Sequence, residues 1–257
     1  MTFLQIIADY GTDDPAFGEV IQRLKTYDPS CDIHYTSVPA FSTINTGFWI
    51  QQFACCNPKP DEMAIYANTA PRNDDTDPRP DDGGSSLYYT KAEGTPIIAV
   101  NAGHTFSFVK DDIENFYPVD VANEGSQFRS RDYYPEAVID LLKDKKERLH
   151  DSVDPSIIPD PPSAAIAHID GYGNIKTTIR ASSVKQHGSV SITIDGITHE
   201  ATQATAGFGV TEGTLAFAPG SSGGEDPYME IFLRGGSAAA QFDHPTVGQS
   251  VERTTST

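Results

Sequence analysis

The chain opens on a continuous apolar run, "FLQIIADYG" from Phe3 to Gly11, which ends in Asp and Gly as a buried strand of an α/β sheet does. The next stretch, "DDPAFGEVIQRLKTYDP", predicts a helix. Acids precede Pro15, apolar Phe17, Val20, Ile21 and Leu24 recur at helical spacing, and Pro29 lies beyond the end. A short strand "DIHYTSV", a helix around "STINTGFWIQQFACC" and a second buried strand "EMAIYAN" continue a β-α-β-α-β rhythm. From Thr69 to Ser86 the Asp, Pro and Gly content predicts a solvated surface loop. Strands "SLYYTK" and "TPIIAVN" follow. "DDIENFYPVDV" is mixed, and "RDYYPEAVIDLLKDKKERL" predicts one helix with Pro135 in its first turn, where a missing N–H costs little.

The proline-rich segment "DSVDPSIIPDPPSA" predicts an extended linker, and beyond it the rhythm changes. "AIAHID", "NIKTTI", "SVSITID", "ITHEATQ", "TLAFAP" and "YMEIFLR" are short strands separated by Gly-rich turns, the pattern of a small antiparallel barrel or sandwich. The expected organisation is an N-terminal α/β domain over 1–155, with a mostly parallel sheet flanked by helices. A linker over 156–163 and an all-β C-terminal barrel over 164–257 follow.

Charge narrows the partners. Over 257 residues, 18 Lys and Arg stand against 36 Asp and Glu, a formal charge of -18, which argues against nucleic acid or an anionic membrane surface. Few Lys and plentiful Asp and Thr suit a protein kept soluble in concentrated salt, so a halophilic, in particular haloarchaeal, source is expected. The cysteines Cys31, Cys55 and Cys56 signal neither a zinc knuckle nor a disulfide framework, and a reducing cytoplasm fits them best. No signal peptide or membrane-spanning run is legible. The seven histidines have no metal-ligand spacing, so no metal is expected, and Gly-x-Ser-x-Gly is absent. His104, just past a strand end, is the one histidine to watch, with a packing role as the alternative.

Three places carry candidate chemistry. Asp9 stands at the carboxyl end of the first strand, where ligands of open α/β sheets collect, and a carboxylate there can take two bonds from vicinal hydroxyls; capping the turn is the alternative. "DYGTDD" is not a phosphate loop, because it lacks the Gly spacing and its acids would repel phosphate. Arg129, Ser130 and Arg131 at a helix entrance form a candidate anion site, or a capping segment paired with surface acids. In "HIDGYGNIK" the glycines read as a hairpin turn, yet a turn explains neither Asp170 nor Tyr172. An acid for an ammonium group, a ring for stacking on a base and the Asn174 amide for a base edge make a coherent ligand set.

Taken in order, five segments resemble the family of S-adenosyl-L-methionine (SAM) hydroxide adenosyltransferases and its relatives, the fluorinase and chlorinase. "IADYGTDDPAFGEV" resembles the opening Asp-x-Gly-Thr-x-Asp, "EMAIYANTAP" the strand before Asp-Pro-Gly-Val-Gly, and "FRSRDYYPEAV" the Phe-His-Gly-Arg-Asp before a helix. "HIDGYGNIKTTI" resembles Ile-Asp-x-Phe-Gly-Asn-x-x-Thr-Asn-Ile, and "MEIFLRGGSAAA" the closing strand and Asn-x-Gly-Asn-Ala-Ala turn.

The resemblance implies a homotrimer with sites between the N-terminal domain of one subunit and the C-terminal domain of the next. It also implies attack of a nucleophile on ribose C5′ of SAM as methionine departs; SAM is then substrate, and no cofactor is implied. A sulfonium is already a good leaving group, so the protein's task is to orient the substrate and deliver the nucleophile. By resemblance, Asp9 matches the ribose carboxylate, Asp13 and Asp14 match acids near the methionine end, and Asp170 matches the group that holds the methionine ammonium. Tyr172 and Asn174 fall at the adenine, and the backbone of Arg234, Gly235 and Gly236 at its edge. Phe41 falls where the halogenating relatives place a Trp, and Ser221 and Ser222 near their Ser-Arg on the methionine carboxylate, with no Arg following here.

The catalytic set implied is Asn68, Arg79, Arg129 and Ser130, and it departs from the family. Asn68 replaces an Asp, Arg129 replaces a His, and Arg79 is the candidate for the family's Arg. Ser130 matches a halide-contacting Ser. Asn cannot act as a base and Arg stays protonated. Three readings therefore stay open: hydrolysis of SAM to adenosine and methionine, halide transfer to give a 5′-halo-5′-deoxyadenosine, and non-enzymatic binding of an adenosyl ligand.

Overall fold

The structure is a computed structural model, and it describes residues 2–11, 13–69, 85–122, 125–185, 188–206 and 209–255. The chain divides into two compact units, Met1–Asp160 and Pro161–Thr257.

The first unit contains β1 (Phe3–Ala8), α1 (Pro15–Tyr27), β2 (Asp32–Ser37), α2 (Thr43–Ala54), β3 (Met63–Asn68), β4 (Leu87–Ala92), β5 (Thr95–Val100) and β6 (Tyr117–Pro118). The strand order is β2-β1-β3-β5-β4-β6; the first four strands are parallel, and β4 is antiparallel to both neighbours. Alternation along β1 and β3 explains why both run as unbroken apolar stretches. Leu4, Ile6, Ala64 and Tyr66 pack with Phe17, Val20 and Leu24 of α1 on one face, while Ile7, Ile65 and Ala67 pack with Ile50 and Ala54 of α2 on the other. α1 starts where its sequence directs, with Asp14 accepting from the Ala16 N–H at 2.8 Å and Pro15 in the first turn.

The single helix expected over 131–149 is two helices, α3 (Arg129–Asp132) and α4 (Tyr134–Leu142). α4 stops because Asp144 adopts φ 61°, which lets the Lys145 N–H reach the Asp140 carbonyl at 3.0 Å and the Asp144 N–H the Leu141 carbonyl at 3.1 Å. The Asp140 carboxylate then takes Lys145 and Arg148, folding the basic residues back onto the helix end. The proline-rich segment is only partly extended. Pro155–Ile157 form a 3-10 turn, Ile158 is buried in the core of the first unit, and Lys110 pairs with Asp160 at 2.6 Å.

The second unit contains β7 (Ile166–Ile169), β8 (Ile175–Arg180), β9 (Ser189–Ile194), β10 (Ile197–Gln203), β11 (Leu215–Pro219), β12 (Tyr228–Leu233), α5 (Ala238–Gln241) and β13 (Glu252–Thr255). They form one curled sheet, β13-β9-β10-β11-β12-β8-β7, antiparallel except for β10 beside β11. The Ala165–Ser250 bridge links its two edges. Period-two burial of Val190, Ile192 and Ile194 faces Phe217, Met229, Ile231 and Phe242 inside the curl. Asp195 and Gly196, at φ 49° and 79°, make the tight turn between β9 and β10. β13 and α5 go beyond the strands read from the sequence. "ERTT" carries no apolar alternation and becomes a strand through its pairing with β9. No helix among the described residues is long and apolar enough to cross a membrane.

Candidate functional site

Each unit carries a cleft. In the first, a cleft of about 370 Å³ lies beyond the carboxyl ends of β1, β2, β3 and β5. β2 and β3 flank β1 on opposite sides, so the cleft sits where the strand order reverses, the position at which open α/β sheets bind ligands. Asp9 emerges here from β1, and its Oδ2 accepts the Phe41 N–H at 3.0 Å. Phe41 lies in the left-handed region, φ 63°, and lines the cleft while 45% exposed. A bulky residue held there stores backbone strain, and such strain concentrates at functional sites.

Deeper in, three polar groups form a chain. Asn68, at the end of β3, donates its Nδ2 to the Tyr10 hydroxyl at 3.0 Å, and Tyr10 is hydrogen-bonded to the Ser130 hydroxyl. The Tyr66 hydroxyl donates to the Ser130 carbonyl at 3.2 Å. Ser130 and Asn68 are 5% and 7% exposed, so these are buried polar groups that must be partnered. Burial is the main cause that pushes the Tyr10 phenol well above its ordinary value, outweighing the bonds from Ser130 and Asn68 that favour ionisation. Burial likewise raises Tyr66 and Tyr134. The Tyr134 hydroxyl, on a residue lining the same cleft, has no hydrogen-bond partner among the described residues.

Of the expected anion site, Arg129 and Ser130 line the cleft and Arg131 does not. The Arg129 guanidinium lies 5.6 Å from the Tyr134 ring centroid and reaches the Ser85 carbonyl at 3.5 Å. Arg131 is drawn to Asp132 at 2.8 Å and Glu19 at 3.3 Å and lies over Phe128. The helix entrance expected to contribute N–H groups is the four-residue α3, too short to supply a helix terminus to a ligand. Asp14 lines the cleft while capping α1; Asp13 is exposed outside the lining. Arg79 lies outside the described residues. His104 bonds the Ser107 hydroxyl at 3.1 Å and donates its backbone N–H to the Thr43 hydroxyl oxygen at 3.0 Å, a packing role beside α2.

The second unit's cleft, about 630 Å³, lies between the turn joining β7 to β8, the turn after β11, and the residues following β12. Tyr172 and Asn174 line one side, Gly220 and Ser221 another, and Arg234, Gly235 and Gly236 a third. Tyr172 is 82% exposed at its rim. The turn does need its acid: Asp170 accepts from the Tyr172 N–H at 2.9 Å, the Asn174 N–H at 3.0 Å and the Asn174 Nδ2 at 2.9 Å. This corrects the reading of Asp170 as a residue the turn cannot use. Burial pushes its carboxyl up, but the bonds from Asn174 and Tyr172 and the nearby Lys176 outweigh it and hold the group below the ordinary value. Asp170 itself is not among the cleft-lining residues, and the Asn174 amide is partly committed to it. At Gly173, φ 82°, a Cβ would stand 2.0 Å from the Ser237 hydroxyl, which would have to move to admit it.

Ser221 lines this cleft, whereas Ser222 is buried and accepts the Tyr228 N–H on its carbonyl at 2.8 Å. Glu230 lies at the cleft, paired with Lys176 at 2.9 Å; the two are 14% and 11% exposed. Tyr10, Tyr134 and Glu230 are the site residues the sequence reading passed over. The signal for Glu230 was a lone acid in the apolar strand "YMEIFL"; Tyr10 had only its place beside Asp9.

Residues 164–251 match the family model of the SAM hydroxide adenosyltransferase C-terminal domain. The match spans the second cleft, with Asp170, Tyr172, Asn174, Ser221 and Arg234 inside it, and stops short of Asp9, Asn68, Arg129 and Ser130. It supports a SAM-related function. A comparison with curated proteins finds no match. Among solved structures, the chain is similar to an uncharacterized conserved protein from Thermotoga maritima, with TM-score 0.76, 16% identity, and coverage of 98% of this chain and 100% of that one. It is also similar to a conserved hypothetical protein from Thermus thermophilus, with TM-score 0.70, 15% identity, and coverage of 99% and 100%. At these identities the likeness is one of fold.

Proposed function

We propose that the protein binds SAM and transfers its adenosyl group to water, giving adenosine and L-methionine. The observation that carries this reading is the match of residues 164–251 to the SAM hydroxide adenosyltransferase C-terminal domain. In the reaction an O–C5′ bond forms as the C5′–S bond breaks, the electron pair passes to sulfur as methionine leaves, and the water proton goes to solvent. The substrate's sulfonium and ammonium suit a chain of formal charge -18. The reading assigns the adenine to the exposed ring of Tyr172, to Asn174 and to the backbone at Arg234, Gly235 and Gly236. It assigns the ribose hydroxyls to Asp9, whose Oδ1 is left to receive them while Oδ2 holds Phe41. Asp170, Asp13 and Asp14 are assigned to the ammonium end, and Ser221 and Ser222 to the methionine carboxylate. Because the two clefts lie on separate units, we assign their union to a homotrimer, each site drawing on two subunits; light scattering that finds only monomers at assay concentration contradicts it.

Transfer to halide is the second reading, favoured by one observation. The nucleophile side offers Asn68, a neutral Tyr10, Ser130 and Arg129, with no base among them, and chloride needs none. The test is incubation of the pure protein with SAM in molar potassium chloride and in a chloride-free salt, followed by nucleoside analysis. Adenosine in both salts is expected. A 5′-chloro-5′-deoxyadenosine formed only with chloride replaces the first reading by the second, and unchanged SAM in both sinks the two together.

A further inference from the structure

Glu230 is the one acid among the described residues that line the second cleft. It stands on β12 directly opposite Lys176 of β8, and the Lys176 ammonium donates to its Oε2 at 2.9 Å. Both side chains are largely buried, and a buried ion pair adds little stability over a well-packed apolar pair, so packing alone does not call for these charges. Room is nonetheless kept for the carboxylate. Gly220, on the cleft wall, lies outside the left-handed region, so its backbone does not require glycine; a Cβ there would stand 2.5 Å from Oε2 and 3.1 Å from the Glu230 Cβ. Oε1 makes no bond among the described residues and is not shut away from solvent, which leaves it as a hydrogen-bond acceptor on the cleft. Asp170, by contrast, commits both oxygens to its own turn and does not line the cleft.

We propose that Glu230 is a ligand-binding residue whose Oε1 takes a protonated amine, so that the second cleft selects an adenosyl ligand with an ammonium group over one without. This rests on the reading of that cleft as a site for an adenosyl ligand, and it adds Glu230 to the acids at the ammonium end. An amino-acid tail carries its ammonium and its carboxylate on one carbon. Glu230 against Gly220 sets a charged acceptor beside the Ser221 hydroxyl, a donor on the same cleft, which is the pair of groups such a tail needs. Lys176 is then a positioning residue: its hold on Oε2 fixes the carboxylate and leaves Oε1 to the ligand.

The experiment is calorimetric titration of the full-length protein with two probes, S-adenosylhomocysteine and 5′-methylthioadenosine. Both carry the adenosyl group, only the first carries an ammonium, and neither has the sulfonium whose departure would consume it. Glu230→Gln keeps the shape of the side chain and an oxygen for Lys176 while removing the charge. It should weaken S-adenosylhomocysteine about tenfold, the loss expected for one charge-assisted hydrogen bond, and leave 5′-methylthioadenosine unchanged. A merely structural glutamate would not separate the two probes. Should Glu230→Gln fail to melt cooperatively, Lys176→Met combined with Glu230→Gln removes both charges together and decides in the same assay, with the same selective loss expected. Equal weakening of both probes, which places Glu230 at the shared adenosine or in the packing alone, overturns the proposal, and so does unchanged binding of S-adenosylhomocysteine. The parent reading fails separately. Wild type that binds both probes without a Glu230-dependent difference removes the Glu230 role alone, whereas wild type that binds neither removes the adenosyl reading and this proposal with it.

Discussion

The cleft of the first unit is the smaller, about 370 Å³, and is assembled from strand ends and loops scattered between Asp9 and Tyr134, with buried polar side chains at its base. The cleft of the second unit, about 630 Å³, is bounded by short local turns and by an aromatic ring at its rim. A surface made by local turns leaves compact runs in the sequence, and the family match covers that unit. A surface made by distant strand ends leaves single residues, and Asn68 and Arg129, which depart from the family pattern only by the resemblance, line it. The family match thus lies in the unit whose cleft is built from local turns, and does not reach the cleft of the first unit.

The largest effect expected from breaking this contrast lies in the second cleft. Lys176→Met leaves the Glu230 carboxylate buried without its partner and should cost about 3 kcal/mol in urea unfolding, recovered largely by adding Glu230→Gln. Gly173→Ala should cost roughly 2 kcal/mol, because the Ser237 hydroxyl must move and φ 82° is unfavourable to Ala, and it should loosen the turn that carries Tyr172. An unchanged unfolding midpoint for either variant contradicts the packing described for that cleft.

pH separates the two units. Tyr10, Tyr66, Tyr89 and Tyr134 of the first unit are all raised by burial, so the unfolded chain ionises first. Their contribution is whole below the ordinary tyrosine value of about 10 and is lost as pH rises above it. In the second unit His168 is lowered, by burial first and then by Lys176, so the unfolded chain takes up the proton first. Stability there is whole above the ordinary histidine value of about 6.5 and declines as pH falls below it. Hydrogen exchange should show the first unit loosening at alkaline pH and the second at mildly acid pH; the reverse order contradicts burial of these tyrosines and of His168 as the cause. The smallest effect belongs to Phe41→Gly, which relieves a left-handed Phe and should stabilise by up to about 1 kcal/mol while weakening SAM binding.

Much of the fold was legible because burial on both faces writes itself as apolar runs, as in β1 and β3, and burial on one face as alternation, as in β9. The end of α4 was not, because Asp144 in the left-handed region is set by the Asp140 carbonyl and carboxylate rather than by a Gly or Pro. β13 was hidden because its strand state is lent by β9. In the site, Asp9 was legible from its place at a strand end. The Asp170 role was half legible: the pattern marked the residue, while its bonds to Tyr172 and Asn174 are local geometry that a list of residue types does not contain. Tyr10 was not legible, because its meaning comes from Asn68 and Ser130, which lie 58 and 120 residues away in the chain.

On the proposed function the two dissimilar clefts serve one substrate, and calorimetric titration of SAM into wild type, Asp9→Ala and Tyr172→Ala tests this. Tyr172 is too exposed for its loss to disturb the fold, and removing the ring proposed to stack on the adenine should weaken binding by about 1–2 kcal/mol. One SAM per chain is expected in wild type, with weakened binding in both variants. Binding by either variant as tight as that of wild type contradicts it.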